Sequence, residues 1–279
     1  MRRKALALGA KLLDMARRAR WRATVRYGPR CRLPDAPPLT CILLSYQRPE
    51  NMADLARGLL RCDFVGHVIV SNSCPDSDIG DWIGFIDPRL EIKNAGEHTP
   101  AGYRFELARI AEAEHYLCVD DDVFLYPKQV RALYARYLED PSVPHGLFGY
   151  INSFDDSGNL QRDMRRRVEA SVDVLHQVYV LSRQHVKEYF RLLGELGYTN
   201  LKELRLGDDI VLGYSSDGWP RCHDVGPILL CPTAHDPKRA TWKQPGFADT
   251  RLELLVRIRE LYPAARPPPR EVVDANIDR

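Results

Sequence analysis

Three consecutive aspartates, Asp120 to Asp122, are the residues of this sequence best suited to chemistry. They end the apolar run 116–119, and the chain becomes apolar again directly after them. Carboxylates packed this closely repel one another at the reduced dielectric of a protein unless a cation or hydrogen-bond donors compensate. Hard divalent cations prefer oxygen ligands and often bind the phosphates of a substrate as well. The triad therefore predicts a site for a divalent metal that carries a phosphate-bearing ligand.

A second acidic pair, Asp208 and Asp209, stands at the start of an apolar segment that we predict to be a helix. Asp is a preferred residue at a helix N-cap, where it contributes about 1 kcal/mol. Asp208 and Asp209 suit this cap equally well, so one of the two could be structural.

Predicted strands alternate with predicted helices in the first half of the chain. The strands span 40–45, 67–71, 90–92 and the run that ends at the triad. Such alternation predicts an α/β fold with a mostly parallel central sheet, whose ligands bind beyond the carboxyl ends of the strands. We therefore expect the loops after Ser45, Ser71 and Val119 to meet in one crevice.

The second half of the chain is less regular. A strand at 146–151 is followed by a predicted polar loop, Asn152–Arg167, and by a continuous strand over 172–181. An amphipathic helix is predicted around 250–261. We divide the chain into a basic arm with a Pro-rich linker, an α/β domain, and a Pro-rich tail that we expect to be mobile. These parts span 1–37, 38–262 and 263–279, respectively.

The net charge of +2 conceals a basic arm. Residues 1–33 carry a net charge of +10, and the remainder carries −8. On a helical wheel the arm has apolar side chains on one side and Arg and Lys on the other, which is typical of an interfacial helix. Residues 1–30 could bind an anionic membrane surface or pack as an ordinary amphipathic helix on the domain. We expect no nucleic acid partner, because the body is acidic and the arm has few aromatic residues.

The cysteines favour a reducing compartment. There are seven, without paired spacing or a zinc-binding pattern, and most lie in apolar segments, so we predict reduced core residues. No run of eighteen apolar residues occurs, so we predict no membrane-spanning segment. The expected location is the cytoplasm, with peripheral binding to the inner membrane face through the basic arm.

The order of these motifs resembles the GT-A glycosyltransferases. The resemblance spans roughly residues 38 to 262. It is nearest to the exostosin-type domain of family 64, and the inverting family 2 enzymes come next. It implies a Rossmann-like GT-A fold that binds a nucleotide sugar. The matching residues are Ser45, Tyr46 and Arg48 after the first strand, Asn72 after the second, Arg104 with Phe105 before the triad, the Asp-x-Asp motif itself, and Asp208, Asp209 and Ile210.

The resemblance also implies a role for each residue. Asp122, with Asp120 and His235, would hold Mn²⁺ or Mg²⁺, which neutralises the leaving diphosphate of the donor. Asp121, together with Asp120, would hold the ribose or the donor sugar. In the resembling families uridine is the usual base, so a UDP-sugar is the expected donor. Tyr46 and Arg48, with Asn72, would line the pocket for the base, and Arg104 would approach the nucleotide or its phosphates. Ser45 and Lys243 are the other residues assigned to the nucleotide sugar.

The resembling families leave the stereochemistry open. In exostosin-type enzymes the residue matching Asp209 lies beside the reacting anomeric carbon, and in family 2 enzymes it is the general base that deprotonates the acceptor hydroxyl. The resemblance therefore makes Asp209 our candidate for chemistry, with Asp208 beside it. Under retention, Asp209 would stabilise an oxocarbenium-like centre or orient the acceptor. We expect a retaining hexosyl- or N-acetylhexosaminyltransferase. Its acceptor would be a glycan or a lipid-linked glycan in the synthesis of cell-surface polysaccharide or glycolipid. The alternatives are an inverting family-2-like enzyme and a non-catalytic nucleotide-sugar-binding protein at the membrane.

Overall fold

The computed structural model describes residues 2–157 and 160–262. The helices are α1 (Arg2–Tyr27), α2 (Met52–Leu60), α3 (Gly80–Ile83), α4 (Tyr103–Ala111), α5 (Pro127–Glu139), α6 (Arg183–Glu195), α7 (Asp208–Gly213) and α8 (Phe247–Leu261). The strands are β1 (Leu39–Ser45), β2 (Val65–Asn72), β3 (Leu90–Asn94), β4 (His115–Asp120), β5 (Val123–Phe124), β6 (His145–Gly146), β7 (Phe148–Phe154), β8 (Leu160–Arg166), β9 (Ala170–Ser171), β10 (Val174–Leu175), β11 (Val178–Ser182), β12 (Arg221–Cys222) and β13 (Leu229–Leu230).

An eight-stranded sheet runs through the described chain in the order β3-β2-β1-β4-β11-β6-β12-β9. The first four strands are parallel, and β11 is antiparallel to both of its neighbours. Every residue of β1 is buried, because both faces of the sheet are covered. The α/β fold with a mostly parallel central sheet, predicted from the alternation of strands and helices, is therefore confirmed.

Alternate residues of β1 supply the two halves of the core. Cys41 and Leu43 belong to one hydrophobic cluster, which includes residues of α2 and α5. Ile42 and Leu44 belong to the other, which includes residues of α4, α6, α7 and α8. Successive side chains of a strand point to opposite faces, so one apolar strand holds both layers together.

The segment predicted as a polar loop, Asn152–Arg167, is mostly a β-hairpin, so that prediction was wrong. Strands β7 and β8 pair antiparallel from Phe148 opposite Arg166 to Phe154 opposite Leu160. β8 lies at the edge of a three-stranded sheet with the order β10-β7-β8. An edge strand needs few apolar residues and tolerates many charges, which hid this strand in the sequence.

The continuous strand predicted over 172–181 is broken at His176 and Gln177. β10 pairs with β7 and β11 pairs with β4, so the two pieces belong to different sheets. The break lies where Gln177 has a φ of 64°, in the left-handed region. The carbonyl of Gln177 accepts a hydrogen bond of 2.9 Å from the backbone N–H of Asp120. The break therefore lies beside the aspartate triad.

Helix α1 is anchored to the domain near its C-terminal end. The Trp21 ring stacks on Phe124 with a centroid distance of 4.6 Å, and its Nε1 donates to the Leu125 carbonyl at 2.9 Å. Arg26 Nε donates to Asp54 of α2 at 2.7 Å. The predicted tail, 263–279, lies outside the described residues. None of the described helices has the length and apolar content needed to cross a bilayer.

Candidate active site

The carboxyl ends of β1, β2 and β4 lie side by side. Ser45 is in register with Asn72, and Leu44 is in register with Asp120. Parallel strands present their C-terminal loops at one edge of a sheet. The loops after these strands therefore begin side by side at one edge of the sheet, as predicted.

Asp121 holds the loop after β1 in place. Its Oδ2 accepts from the Tyr46 backbone N–H at 2.7 Å, and its Oδ1 accepts from Arg48 Nη1 at 2.7 Å. Asn51 Nδ2 donates to its carbonyl at 2.8 Å. Burial raises the pKa of Asp121 to about 7, although Arg48 opposes the rise. Both carboxylate oxygens of Asp121 thus accept hydrogen bonds from the loop after β1, and the residue is 4% exposed. Its predicted contact with the ribose or donor sugar stays a prediction.

Asp120 and Asp122 are the aspartates of the triad that remain more open. Their side chains are 31% and 13% exposed, respectively. Asp120 Oδ1 accepts from Arg104 Nη2 at 2.8 Å, and Asp122 Oδ1 accepts from Gln177 Nε2 at 3.1 Å. Burial, together with the charge of Asp120, raises the pKa of Asp122 to about 6. Each carboxylate thus has one oxygen committed to a neighbouring side chain and a second that accepts no hydrogen bond within the described chain.

This pair of carboxylates fits a divalent cation. Within 2–157 and 160–262, no three His, Cys, Asp or Glu side chains are grouped so that they could enclose a metal. Mg²⁺ sites commonly use only one or two carboxylates and take their other ligands from water and substrate phosphates. The raised pKa of Asp122 also indicates negative charge that a bound cation would relieve. Asp120 and Asp122 could therefore hold a metal that arrives with a diphosphate.

The loop that follows β13 approaches the triad through Thr233. Its Oγ1 accepts from Arg48 Nε at 3.0 Å, and its carbonyl accepts from Arg48 Nη2 at 3.0 Å. His235 and Lys243 lie further along this loop and contact each other, since Lys243 Nζ donates to the His235 carbonyl at 2.6 Å. The His235 ring packs edge-on against Trp242. Their predicted contacts with metal and phosphate are not present in this arrangement of the loop and stay predictions.

Ser45 and Asn72 are buried. The side chain of Asn72 forms hydrogen bonds within its own turn. Asn72 Nδ2 donates to the carbonyls of Cys74, at 2.9 Å, and Ser77. A contact between Asn72 and a base would therefore require these bonds to break. Tyr46 is 36% exposed, and its ring lies 5.8 Å from that of His98. Of the residues predicted to bind the base, Tyr46 is the one with an exposed surface to offer.

The two aspartates of α7 face different arginines. Asp209 forms two hydrogen bonds with Arg251 of α8, at 2.6 and 2.9 Å. Asp208 Oδ2 lies 3.9 Å from Arg104 Nε. The N-cap of the helix is Gly207, whose φ is 98°, so neither aspartate occupies the cap position that we considered. A Cβ on Gly207 would lie 2.4 Å from Leu254, which shows how closely α7 approaches α8.

These contacts separate the acidities of the two carboxyls. Burial and the neighbouring charge of Asp209 raise the pKa of Asp208 to about 6. Burial also acts to raise the pKa of Asp209, but the ion pair with Arg251 outweighs it and the pKa is lowered. Asp209 is thus held as a carboxylate, and Asp208 is closer to exchanging a proton at neutral pH.

Arg251, Tyr150 and His176 were missed from the sequence. The Tyr150 hydroxyl accepts a hydrogen bond from Arg251, and the His176 ring lies 6.0 Å from the Tyr150 ring. Burial lowers the pKa of His176 to about 4, so the imidazole is neutral. Its Nε2 is buried and has no hydrogen-bond partner among residues 2–157 and 160–262. No local motif contains these residues. Arg251 is 42 positions from Asp209 and 101 from Tyr150.

Comparisons with known proteins bear on the fold. Neither a family model nor a curated protein matches the sequence. Among solved structures, the chain is similar to GalNAc-T7 with UDP, GalNAc and Mn²⁺, with a TM-score of 0.56 and 9% identity over 82% of this chain and 48% of that one. It is also similar to the mannosyltransferase PcManGT from Pyrobaculum calidifontis with GDP-Man and Mn²⁺. That TM-score is 0.50, with 16% identity over 91% of this chain and 74% of that one.

The fold is therefore the GT-A fold, the nucleotide-sugar-binding architecture of these glycosyltransferases. The chain spans about half the length of GalNAc-T7. At these identities the similarity extends to the fold alone, and it does not distinguish the exostosin-type domain from other GT-A families.

The ion pair between Arg251 and Asp209 generates a stability prediction. Arg251→Met should lower the free energy of unfolding by about 3–5 kcal/mol, because it leaves a buried carboxylate without its cation. Adding Asp209→Asn should restore most of the loss. Arg257→Met, an exposed change on the same helix, should cost no more than about 0.5 kcal/mol. Urea unfolding at pH 7 measures all four proteins.

The sign of the pH dependence provides a further check on this pair. Without Arg251, burial would raise the pKa of Asp209 in the folded state, so the loss should shrink as the pH falls from 7 towards 5. A double variant no more stable than Arg251→Met, or a loss that grows at low pH, would contradict the assigned pairing.

Proposed function

We propose that this protein is a metal-dependent glycosyltransferase that transfers a sugar from a nucleotide-sugar donor to a hydroxyl group. The observation that carries the proposal is the position of Arg104 between the two acidic sites. Its guanidinium lies 2.8 Å from Asp120 of the triad and 3.9 Å from Asp208 of α7. A carboxylate pair suited to a metal and a second pair suited to the reacting sugar therefore share one crevice.

The donor would bind at the loops after β1, β2 and β4. Asp120 and Asp122 would hold Mn²⁺ or Mg²⁺, which stabilises the leaving diphosphate when bound. The exposed ring of Tyr46 would cover the base. His235 and Lys243 would reach the diphosphate if their loop closed after donor binding, as such loops do in many enzymes. We propose a UDP-sugar as the donor, and a GDP-sugar is the alternative, because the two similar structures hold UDP and GDP-Man.

The contacts of Asp209 favour retention at the anomeric carbon. Both of its oxygens accept from Arg251, and its pKa is lowered, so it would be a poor proton acceptor. A carboxylate held in this way suits stabilisation of an oxocarbenium-like centre. If the enzyme inverts instead, Asp208 is the better base, because its pKa is about 6. The acceptor would be a glycan or lipid-linked glycan of the cell surface.

We also propose that α1 lies on the anionic inner face of the cytoplasmic membrane. Trp21 attaches one side of the helix to the domain. At 100° per residue, the opposite side of the helix carries Leu12, Ala16 and Ala19. Two large apolar side chains of this helix are exposed to solvent, Leu12 by 58% and Met15 by 59%. The surplus of positive charge in residues 1–33 suits an anionic surface. A bound helix would keep the crevice close to a lipid-linked acceptor.

Calorimetric titration of UDP tests the donor site. Binding should require Mn²⁺, and Asp122→Asn should weaken it at least about tenfold, which is about 1.4 kcal/mol. Asn keeps the oxygen that accepts from Gln177, so this variant should fold. Asp156→Asn, an exposed aspartate beyond the end of β7, is the matched control and should bind normally. Equal UDP affinity in excess chelator would refute the metal role, and binding of GDP alone would identify the other nucleotide.

Product stereochemistry tests the role of Asp209. Proton NMR of the transferred sugar should show the anomeric configuration of the donor. Asp209→Asn should keep metal-dependent UDP binding but lower turnover at least about a hundredfold, in the range of losses found when an oriented catalytic group is removed. An inverted product with greater sensitivity to Asp208→Asn would establish the alternative. Metal-dependent UDP binding without release of UDP from any UDP-hexose or UDP-N-acetylhexosamine would favour the non-catalytic protein.

Sedimentation with lipid vesicles tests the membrane contact. The full chain should sediment with vesicles that contain phosphatidylglycerol and much less with pure phosphatidylcholine, and added salt should weaken the binding. Leu12→Gln with Met15→Gln should reduce the bound fraction at least about fivefold, since burial of apolar area drives insertion. Ile86→Gln with Ile110→Gln removes two exposed apolar residues elsewhere and should have no effect. Identical losses for both pairs would argue against α1 as the contact.

A further inference from the structure

The β7–β8 hairpin presents two arginines on the face that it shares with Tyr150. Met164 is in register with Tyr150, and Arg166 is in register with Phe148. Cross-strand partners lie on the same face of a sheet, and so do residues two apart along a strand. Arg162 and Arg166, which flank Met164, therefore lie on the face of Tyr150.

Aromatic rings hold both guanidinium groups without neutralising them. The Cζ of Arg162 lies 5.7 Å from the Tyr150 ring centroid, and the Cζ of Arg166 lies 5.9 Å from that of Phe148. Within the described chain neither arginine forms a salt bridge, and the buried Nε of Arg162 has no hydrogen-bond partner. A cation–π contact at this distance leaves the positive charge in place, and a ring face accepts none of the five N–H donors of a guanidinium as a carboxylate would.

The opposite face of β8 is different. Arg165 points the other way and forms a salt bridge with Asp163, although its Nε, like that of Arg162, has no hydrogen-bond partner within the described chain. Charge on an edge strand by itself discourages pairing with other chains, and any face of the strand could supply it. Protection of an edge strand does not explain why the arginines without a salt bridge lie on the Tyr150 face and the paired arginine lies on the other.

This face is directly connected to the proposed catalytic aspartate. The Tyr150 hydroxyl accepts from Arg251, which binds Asp209 through both oxygens. The His176 ring lies 5.7 Å from the Phe148 ring and 6.0 Å from that of Tyr150. The hairpin thus reaches the reaction centre from β10 and α8, whereas the proposed nucleotide site lies at β1 and β2. A second substrate would approach from the hairpin side.

We propose that Arg162 and Arg166 bind the acceptor and that the acceptor is anionic, with a carboxylate or phosphate group near the hydroxyl that receives the sugar. The planar fork of an arginine matches either group with paired N–H donors. This inference rests on the proposed transferase function, since it assigns the second substrate of the same site.

Calorimetry on the full chain saturated with UDP and Mg²⁺ tests the proposal. Saturation fills the donor site, so that an anion cannot simply occupy the diphosphate position. The probes are trigalacturonic acid and glucose 6-phosphate, and their neutral counterparts are maltotriose and glucose. At least one anionic probe should bind at least about tenfold more tightly than its neutral counterpart. Tighter binding of trigalacturonic acid would identify a carboxylate as the preferred anion, and tighter binding of glucose 6-phosphate would identify a phosphate.

Three double variants identify the residues responsible. R162Q/R166Q should abolish the preference for the anionic probe, and R162K/R166K should retain part of it through charge alone. R131Q/K187Q removes the same amount of charge from exposed positions on α5 and α6. This control should retain the full preference for the anionic probe. Each variant is first titrated with UDP and Mg²⁺, which reports the donor site and the fold independently of the acceptor.

The outcomes separate this inference from the proposed function. Equal affinity for anionic and neutral probes, or a preference that survives R162Q/R166Q, overturns the anionic acceptor. Anion binding that vanishes when UDP is added also overturns it, because the anion would then be at the donor phosphates. If the wild-type protein does not bind UDP, the proposed donor site is refuted, independently of the results with the anionic probes.

Discussion

The carboxylates of Asp120, Asp121 and Asp122 follow one another at the end of β4, and their mutual repulsion must be balanced by residues around them. Arg48 balances Asp121, and Arg104 binds Asp120. Asp122 accepts a hydrogen bond from the neutral amide of Gln177, and Arg48 Nη2 lies 3.9 Å from its Oδ2. Its pKa is nevertheless raised to about 6 by burial and by the charge of Asp120. One guanidinium is thus shared between Asp121 and Asp122, and this incomplete balance of charge is the physical basis of the proposed metal site.

The arginines that balance these charges also connect distant parts of the chain. Arg48 lies in the loop after β1 and donates to Thr233 in the loop after β13. Arg104, at the start of α4, lies between the triad and Asp208. Because an unpaired buried charge is costly, these loops and helices must assemble together. The loops after β1, β4 and β13 and the acidic pair of α7 are thereby held close together.

Much of the fold and the central part of the site could be predicted from the sequence. The apolar run before Asp120 marks a buried strand by its composition, and the aspartates that follow must lie at the strand end. Register between neighbouring strands then brings Ser45, Asn72 and Asp120 to one edge. The resemblance to GT-A enzymes added Asp208 and Asp209. The hairpin strand β8 was missed, because its charged residues conceal the alternation that marks a strand.

The sequence by itself determined which residues form the central strands and where negative charge concentrates, because both follow from composition and adjacency along the chain. Only the tertiary structure decided the partner of each charge. Asp121 is paired with Arg48, 73 residues away, and Asp209 is paired with Arg251, 42 residues away. An ion pair depends on distance in space and on burial, and neither quantity is encoded in local periodicity. Which arginine pairs with which aspartate was therefore settled by packing.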